Sequence, residues 1–540
     1  MRHVGDAVVL RMLPDGTVAA REVSDGEQTT PTVVAAAELP GLVRHLEAHR
    51  PRWVWDCTTR WYPGLLRAGV RVERCWDLRL VHALLRDSPL VDGPVDRGAE
   101  AEAWDELRPV AADDAALFDD SGPSHLDPLA EWRRQRACLD AATHGGLRLL
   151  VSAESSGALV AAELTHAGLP WRADVHDAVL TGLLGPRPPH GQRPAHLEHL
   201  AGQVRDALDA PALNPDSQPA LLAALRSAGL DVADTRTHTL ERLDHRVVPP
   251  LLEYKGLARL LSTNGWQWSD TWVRGGRFRP EYLVAGVVTG RWASRGGGAL
   301  TVPAPVRQAV VADGGHRFVV ADAAQLEPRV LAGMSGDTAM AAAARAGDLY
   351  EGMVAAGAVA TRAEAKLGVL GAMYGGTRGE SGRMVRRLAV RYPRAFAFVE
   401  AAARAGERGE VVRTFLGRGS PAPRAELTEE AGRAWGRFTR NFVVQGTAAE
   451  WALVWLALLR NRLWRLGDDG DRAELVMFLH DEVLVHAPER LVDETVRATR
   501  EAADEATRLL FGAGPTGSDI DSPVDVPLDV RVVRSWADAQ

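Results

Sequence analysis

Two apolar segments that run into acidic residues constrain the fold of this chain more than any other feature of its sequence. The first is a strand-like run that ends at Asp322. The second leads into His480, Asp481 and Glu482, and another apolar run follows directly. Two apolar runs joined by a charged tripeptide predict a β-hairpin with carboxylates at its tip.

An acid at the end of a strand is usually a solvated turn residue, and either site taken alone favours that interpretation. Together, however, two such acids at the ends of buried strands are what a two-cation phosphoryl-transfer site needs. Mg²⁺ prefers hard oxygen ligands and keeps several waters, so one or two carboxylates plus substrate phosphates suffice. Asp322 and Asp481 therefore predict a metal site that could activate an attacking oxygen and stabilise a leaving one.

A helical stripe of functional side chains is predicted between the two acids. Its members are Arg362, Lys366, Leu370 and Tyr374. They recur at intervals of four residues, which places them on one slowly drifting helix face. Fixed cations lower the barrier to phosphoryl transfer, and an aromatic ring can stack on a base. Lys366 is notable because the chain has only one other lysine, Lys255. An amphipathic helix with solvated cations is the alternative.

A polar ridge is predicted on a later helix. Arg437, Asn441 and Gln445 are spaced four residues apart and so share a face. Guanidinium and amide groups in a row suit the acceptors of a nucleic-acid minor groove. The spacing alone fits a polar surface ridge equally well.

Composition narrows the class of protein without identifying it. The 540 residues predict about two to four structural units. Three scattered cysteines fit a reducing cytosol and argue against a cysteine zinc site. No apolar run reaches the roughly 18–20 residues of a membrane helix, so we expect a cytoplasmic protein without a membrane partner. The net charge of −8 does not exclude nucleic-acid binding, which needs only a local basic track.

Taken in order, these segments resemble the motifs of family-A DNA polymerases, the group of bacterial DNA polymerase I. The matching segments are 252–259, 289–294, 320–329, 362–374, 437–445 and 480–482. They are similar, respectively, to the thumb segment, the Thr-Gly-Arg motif, the first acidic motif, the fingers helix, the minor-groove helix and the second acidic motif. The resemblance covers about residues 240–540.

The resemblance implies an α+β multidomain fold. It would be a right-hand polymerase with palm, fingers and thumb, preceded by an N-terminal α/β domain of the ribonuclease-H-like exonuclease type. The implied parts are a degenerate 3′–5′ exonuclease-like domain plus linker at 1–128, thumb and connecting helices at 129–285, the first palm part at 286–337, fingers at 338–430 and the second palm part at 431–540. No 5′-nuclease domain is expected.

The resemblance also implies a role for each candidate residue. Those implied in catalysis are Asp322, Asp481, Lys366 and Glu482, of which Asp322 and Asp481 would hold two Mg²⁺ ions, with Mn²⁺ as a substitute. Those implied in nucleotide binding are Arg362, Lys366, Leu370, Tyr374, Gln325, Glu327 and Tyr350. Those implied in DNA binding are Arg291, Arg437, Asn441, Gln445, His480, Lys255 and Arg259.

The sequence departs from the family pattern at several positions. Leu370 stands where the family usually carries Phe or Tyr, so we expect altered sugar discrimination. In the N-terminal domain, the one Asp-x-Glu triplet, at 25–27, lies in a polar, turn-like stretch. Trp61 stands where the second exonuclease acid is expected. We therefore expect this domain to be structural, without proofreading activity.

The expected function is that of a monomeric DNA-directed DNA polymerase. It would add dNTPs to the 3′ end of a primer on primer-template DNA, in replication or repair. One alternative is a bifunctional enzyme with an active 3′–5′ exonuclease, and another is a non-catalytic protein that binds primer-template. Single-subunit phage RNA polymerases share the palm and fingers, but Glu327 and Glu482 favour DNA synthesis.

Overall fold

The computed structural model divides the chain into two compact units. It describes residues 6–24, 27–91, 103–105, 107, 126–189, 191–345, 347–376, 378–467, 471–512 and 524–539. The first unit comprises Met1–Ala167, Glu281–Arg295 and Gly315–Val532, and the second comprises Gly168–Pro280, Gly296–Gly314 and Val533–Gln540. Most of the predicted linker at 88–127, and Asp25 of the Asp-x-Glu triplet, lie outside the described residues.

The first unit begins with a mixed sheet flanked by short helices. Its strands are β1 (Ala7–Met12), β2 (Thr17–Ser24), β3 (Glu27–Gln28), β4 (Thr32–Ala35), β5 (Arg52–Trp55) and β6 (Arg74–Asp77). The helices are α1 (Leu39–Glu47), α2 (Thr58–Arg67) and α3 (Leu78–Arg86). The strand order is β3-β2-β1-β5-β6, and β4 also pairs with β2. β1, β5 and β6 are parallel, so this region has an α/β arrangement.

Two longer helices, α4 (Pro128–Ala141) and α5 (Gly146–Ala167), follow this sheet. α5 packs against α2 and β6. Its Leu159 is fully buried and joins the core formed by Trp53, Trp55 and Tyr62. Burial of these large side chains stabilises the sheet by roughly 1.5–3 kcal/mol each relative to exposure.

The second unit is mainly helical. Its helices are α6 (Ala173–Leu184), α7 (Ala195–Ala207), α8 (Gln218–Ser227), α9 (Thr237–Leu240), α10 (Val248–Asn264) and α11 (Trp266–Trp272). A small antiparallel sheet contains β7 (Leu169–Pro170), β8 (Val273–Arg274) and β9 (Arg277–Phe278). Trp171, Trp268 and Phe278 form an aromatic cluster with ring centroids 4.9–5.8 Å apart.

The remainder of the first unit contains the two predicted acid-bearing strands. Its strands are β10 (Glu281–Leu283), β11 (Ala293–Arg295), β12 (His316–Ala323), β13 (Glu474–Leu479), β14 (Glu482–Pro488) and β15 (Leu528–Val533). Its helices are α12 (Leu326–Ser335), α13 (Thr338–Arg345), α14 (Leu349–Ala355), α15 (Arg362–Tyr374), α16 (Gly379–Arg391), α17 (Pro393–Glu407), α18 (Glu429–Trp464) and α19 (Val492–Phe511). A four-stranded sheet has the order β13-β14-β12-β15, and the pairing of β13 with β14 confirms the predicted hairpin.

The 36-residue helix α18 is the central core helix of the first unit. Among the described residues it alone has the length and composition of a membrane span, with a window of mean hydropathy 1.5. That window is 83% buried inside the protein. α18 packs against α5, α17 and α19, and these contacts account for its apolar surface.

A buried ion pair ties α18 to the N-terminal region. Arg460 of α18 donates two hydrogen bonds to Glu163 of α5, at 2.8 and 2.9 Å. Tyr62 of α2 donates to the same carboxylate. Burial acts to raise the pKa of Glu163, but the guanidinium groups of Arg460 and Arg71 hold it below its usual value. The pair therefore remains ionised inside the protein.

Buried Glu450, also on α18, is held by a neighbouring loop. Its carboxylate accepts hydrogen bonds from the Thr414 hydroxyl and, at 3.0 Å, from the Leu416 amide. Burial raises the pKa of Glu450 to about 7, above its ordinary value of 4.5. The folded protein therefore retains this proton at pH values where the unfolded chain has released it.

Loss of the buried arginine should be costly because it leaves Glu163 charged and unpaired. We expect Arg460→Met to lower the free energy of unfolding by about 3–5 kcal/mol. The matched control is Arg462→Met on the same helix, whose side chain is 30% exposed and pairs with Glu501 and Glu505. That change should cost about 1 kcal/mol or less. Chemical denaturation followed by circular dichroism measures the free energy of unfolding of both variants. Equal decreases in the two variants would contradict a stabilising role for the buried ion pair.

The raised pKa of Glu450 predicts a pH-dependent stability. Between its unfolded and folded pKa values the folded state binds more protons, so stability falls as pH rises through this window. The total loss reaches at most about 3 kcal/mol and is constant above the folded pKa. Glu450→Gln removes this titration. Denaturation of both proteins from roughly pH 5 to pH 8 should show the variant gaining stability relative to the parent; a constant difference between them would refute the assignment.

Candidate active site

Strand pairing brings the two predicted acids together. In the antiparallel register of β12 with β14, Asp322 lies directly opposite Glu482. The backbone N–H of Ala323 donates to the carbonyl oxygen of Asp481 at 3.0 Å, so Asp481 also lies beside the end of β12. Directly opposed residues have Cβ atoms about 4.5–5.5 Å apart. Three carboxylates consequently converge at one end of the sheet.

This cluster concentrates negative charge. Partial burial and the charges of Asp481 and Asp529 raise the pKa of Asp322 to about 6. Burial also raises the pKa of Asp481, and Glu327 and Glu482 act in the same direction. Neighbouring carboxylates that resist ionisation are stabilised as anions by a divalent cation.

The donor set fits such a cation. The described ranges contain no group of three or more His, Cys, Asp or Glu side chains that could hold a metal ion. Asp322 and Asp481 instead provide a pair of hard oxygen donors at an accessible edge. That is sufficient for an ion that completes its coordination with water and substrate oxygens.

Each acid lies near a residue with a strained backbone. Gln325, three residues after Asp322, has φ 56°, and His480, immediately before Asp481, has φ 61°. A left-handed conformation costs a non-glycine residue roughly 1–2 kcal/mol. The Gln325 side chain compensates by donating to Asp348 at 2.5 Å and accepting from the Leu349 amide at 2.8 Å.

Residues from two other predicted motifs contact Glu327. The Glu327 carboxylate accepts hydrogen bonds from Arg291 at 2.5 Å and from the Tyr374 hydroxyl at 2.8 Å. Burial, followed by the negative charge of Glu327, raises the pKa of Tyr374 to about 12. The Thr-Gly-Arg segment, the first acidic motif and the end of α15 are thus joined by direct contacts.

The predicted stripe on α15 forms the accessible face of that helix. Arg362, Lys366 and Tyr374 are exposed and Leu370 is half-buried. Arg362 pairs with Asp348 at 2.9 Å and lies over the ring of Tyr350, 5.4 Å from its centroid. The α15 residues that are buried are Ala365, Gly368, Val369, Gly371, Ala372 and Met373. Lys366 has no ion pair within the part of the chain that the structure describes.

The predicted ridge on α18 lies beside the end of α15. Arg437 is exposed, and Asn441 and Gln445 are half-buried. Gly375, the C-cap of α15, has φ 80°, and a Cβ there would lie 2.8 Å from Cγ of Arg437. Arg440 donates to the carbonyl oxygen of Ala372 at 3.0 Å. The close approach of these two helices therefore requires glycine at 375.

The two remaining predicted DNA contacts, Lys255 and Arg259, lie on α10 in the second unit. Arg259 is exposed, whereas Lys255 is half-buried. The Lys255 ammonium donates to the carbonyl oxygen of Thr235 at 2.7 Å. This contact gives Lys255 a structural role within its own unit.

Three residues that the sequence did not single out support the site. Asp348 accepts from both Gln325 and Arg362, and Asp529 on β15 raises the pKa of Asp322. Arg329, 1% exposed, donates to the carbonyl oxygen of Ala324 at 2.9 Å and so fixes the turn after Asp322. A signal existed for Asp348, because Asp is a preferred helix N-cap and this residue caps α14.

The acids at the carboxyl ends of β5 and β6 are engaged within the N-terminal domain. Asp56 accepts from Trp61 at 2.7 Å and forms a buried ion pair with Arg60. Asp77 accepts from the Thr58 amide at 2.7 Å and caps α3. Trp61 is 1% exposed and therefore belongs to the core.

Comparison with known proteins gives a consistent result. The family model described as DNA polymerase family A matches residues 218–538. The DNA polymerase I of Chloroflexus aurantiacus is 28% identical over 54% of this chain and 33% of its own length. The thermostable DNA polymerase I of Thermus aquaticus is 26% identical over 53% and 36%, respectively. The chain thus matches about a third of the length of these curated relatives.

The fold also resembles a solved structure. This structure is described as the POL domain of Pol1 from M. smegmatis in complex with DNA primer-template and dNTP. The TM-score is 0.67 at 19% sequence identity, and the match covers 99% of this chain and 95% of the other. At this identity the likeness establishes a shared mixed helix-and-sheet fold.

Proposed function

The chain belongs to DNA polymerase family A, and from this membership we propose that it is a DNA-directed DNA polymerase that extends a primer 3′ end with dNTPs. The observation that carries the proposal is the adjacency of Asp322 and Asp481 at the paired ends of β12 and β14. Polymerases of this family depend on metal ions. We assign two Mg²⁺ ions to Asp322 and Asp481, with Glu482 in support and Mn²⁺ as a substitute.

The charges around the site support a phosphoryl-transfer mechanism. Bound Mg²⁺ would lower the pKa of the primer hydroxyl and neutralise charge on the pyrophosphate. We assign to Lys366, an exposed ammonium, the binding of the triphosphate and the protonation of the leaving group. Arg362 binds the outer phosphates by exchanging its contact with Asp348 for phosphate oxygens, which guanidinium groups bind bidentately.

The contacts around Glu327 support a role in sugar and template recognition. Glu327, held by Arg291 and Tyr374, excludes a ribose 2′-hydroxyl by occupying its space. Tyr374 lies near the templating base. Gln325 and Tyr350 line the nucleotide pocket, because both contact the Asp348–Arg362 pair.

Primer-template DNA is the proposed macromolecular partner. The ridge formed by Arg437, Asn441 and Gln445 contacts the minor groove, together with Arg291 and His480. Lys255 and Arg259 are also assigned to DNA binding. The proposed parts keep the boundaries given above, with thumb at 129–285, fingers at 338–430 and palm at 286–337 and 431–540. We further propose a monomer in the bacterial cytoplasm, in keeping with three unpaired cysteines.

The N-terminal domain is proposed to be a ribonuclease-H-like exonuclease domain that has lost its activity. The strand order β3-β2-β1-β5-β6, with β1, β5 and β6 parallel, supports the fold. The internal bonding of Asp56 and Asp77 supports the loss, because both carboxylates are buried and already accept protein hydrogen bonds. A polymerase with an active exonuclease is the second candidate.

Removal of one metal-binding carboxylate should nearly abolish primer extension. We expect Asp322→Asn to lower the single-nucleotide extension rate by about three orders of magnitude, the scale of one catalytic group. Asp529→Asn is the matched control, because Asp529 adds negative charge near Asp322 but pairs with Arg531. It should change the rate by about tenfold or less, which corresponds to roughly 1.4 kcal/mol. A fall in the extension rate of Asp529→Asn as large as that of Asp322→Asn would overturn the assignment of Asp322 as a metal ligand.

Sugar selectivity should respond to the residue at position 370. An aromatic ring there would alter packing against the deoxyribose, so Leu370→Phe should change the ratio of kcat/KM for dNTP to that for ddNTP by about fivefold or more. The control is Leu367→Phe, a change at an exposed leucine of the same helix that lies off the stripe. An unchanged ratio in Leu370→Phe, measured by steady-state extension, would count against the proposed pocket.

The N-terminal domain should not shorten DNA. We expect a 3′-labelled single strand to remain intact when incubated with the full chain and Mg²⁺ or Mn²⁺ in the absence of dNTP. The reason is that Asp56 and Asp77 are committed to internal hydrogen bonds. A nuclease activity that shortens the strand stepwise, co-purifies with the chain and is lost in Asp56→Asn would instead establish the bifunctional enzyme.

A further inference from the structure

A cavity of about 630 Å³ lies at the amino ends of the parallel strands in the N-terminal sheet. Ala7, Arg52 and Arg74, which begin β1, β5 and β6, all line it. Asp56 and Asp77 lie at the opposite, carboxyl ends of β5 and β6. The cavity therefore shares no residue with the sheet edge that carries Asp56 and Asp77, or with the Asp322–Asp481 site.

The lining of this cavity carries excess positive charge. Arg52, Arg74 and Arg136 contribute three guanidinium groups, against the single carboxylate of Asp6. None of the three arginines forms an ion pair with any residue that the structure describes. Burial, followed by the charge of Arg74, lowers the pKa of Arg52. Three cations that outnumber the carboxylate beside them favour the binding of an anion.

Two tryptophans contact two of these arginines, Arg52 and Arg136. Trp76 and Trp132 are 8% and 5% exposed and pack edge to face, with centroids 6.4 Å apart. Arg52 lies over the Trp76 ring at 5.9 Å and Arg136 over the Trp132 ring at 5.0 Å. Guanidinium groups restrained on aromatic faces are pre-organised for bidentate bonds to an anion.

The size of the cavity also fits a ligand. Its volume of about 630 Å³ lies within the range of small-ligand pockets. Trp132 contributes to the lining, while its indole Nε1 is itself buried.

We propose that this cavity is a binding site for a nucleotide phosphate, either of a free nucleotide or of single-stranded DNA. Phosphate oxygens match the geometry of the guanidinium groups. The cavity is larger than a phosphate ion alone, so it has room for the attached nucleoside. Binding of a phosphate in this cavity does not require the chain to be an active polymerase.

Fluorescence anisotropy with a labelled short oligothymidylate tests the site. The full chain is first saturated with unlabelled primer-template, so that binding elsewhere is blocked. We expect the double variant Arg74→Gln/Arg136→Gln to raise Kd by about tenfold or more, the scale of one lost charged hydrogen bond. Arg133→Gln, a change at an exposed arginine of α4 outside the cavity, should leave Kd unchanged. Primer extension by the double variant should match that of the parent.

Competition experiments distinguish a free nucleotide from single-stranded DNA as the ligand. Competition by dTMP identifies a nucleotide site, and competition by unlabelled oligothymidylate alone identifies a single-strand site. Equal Kd values for the parent and the double variant, or competition by thymidine as strong as that by dTMP, would overturn the proposal.

Discussion

Two like charges held side by side at the end of an antiparallel strand pair are the constraint on which the rest of the first unit depends. The register of β12 with β14 places Asp322 opposite Glu482 and next to Asp481. A slip of one residue would move each side chain of β12 to the other face of the sheet. Val319 and Val485, which are opposed and fully buried, make such a slip costly. Burial of apolar residues thus maintains a repulsive arrangement that a divalent cation would relieve.

The polar side chains around this cluster are already engaged with one another. Glu327 accepts from Arg291 and Tyr374, while Asp348 accepts from Gln325 and Arg362. In the proposed reaction, an incoming dNTP therefore replaces the contact between Asp348 and Arg362, in addition to binding Lys366. Such exchange favours a substrate that restores every lost hydrogen bond, which is one physical basis for selectivity.

Periodicity in the sequence predicted the local structure of the site well. The four-residue spacing from 362 to 374 indicated a helix, and α15 has those bounds. The apolar runs around His480 indicated a hairpin, which β13 and β14 form. The family resemblance then indicated which side chains share a site. Contacts join Arg291, Glu327 and Tyr374 as expected, although the individual roles of these residues stay predictions.

Long-range partners were not predictable from local patterns. Asp529 lies more than 200 residues after Asp322, and an acid in an exposed strand gives no indication of what it faces. The Arg460–Glu163 pair was missed for the same reason, because its residues are 297 positions apart. Hydropathy was also incomplete as a guide. No single apolar run suggested a membrane-length segment, yet α18 reaches that mean hydropathy because it is buried on most sides.

The most direct test of the two-cation site is anomalous scattering from a crystal of the full chain with primer-template, a non-reactive dNTP analogue and Mn²⁺. Two manganese peaks about 3.5–4 Å apart, both within coordination distance of Asp322 and Asp481, are the predicted result. A complex in which the dNTP analogue is bound but no manganese contacts either carboxylate would contradict it.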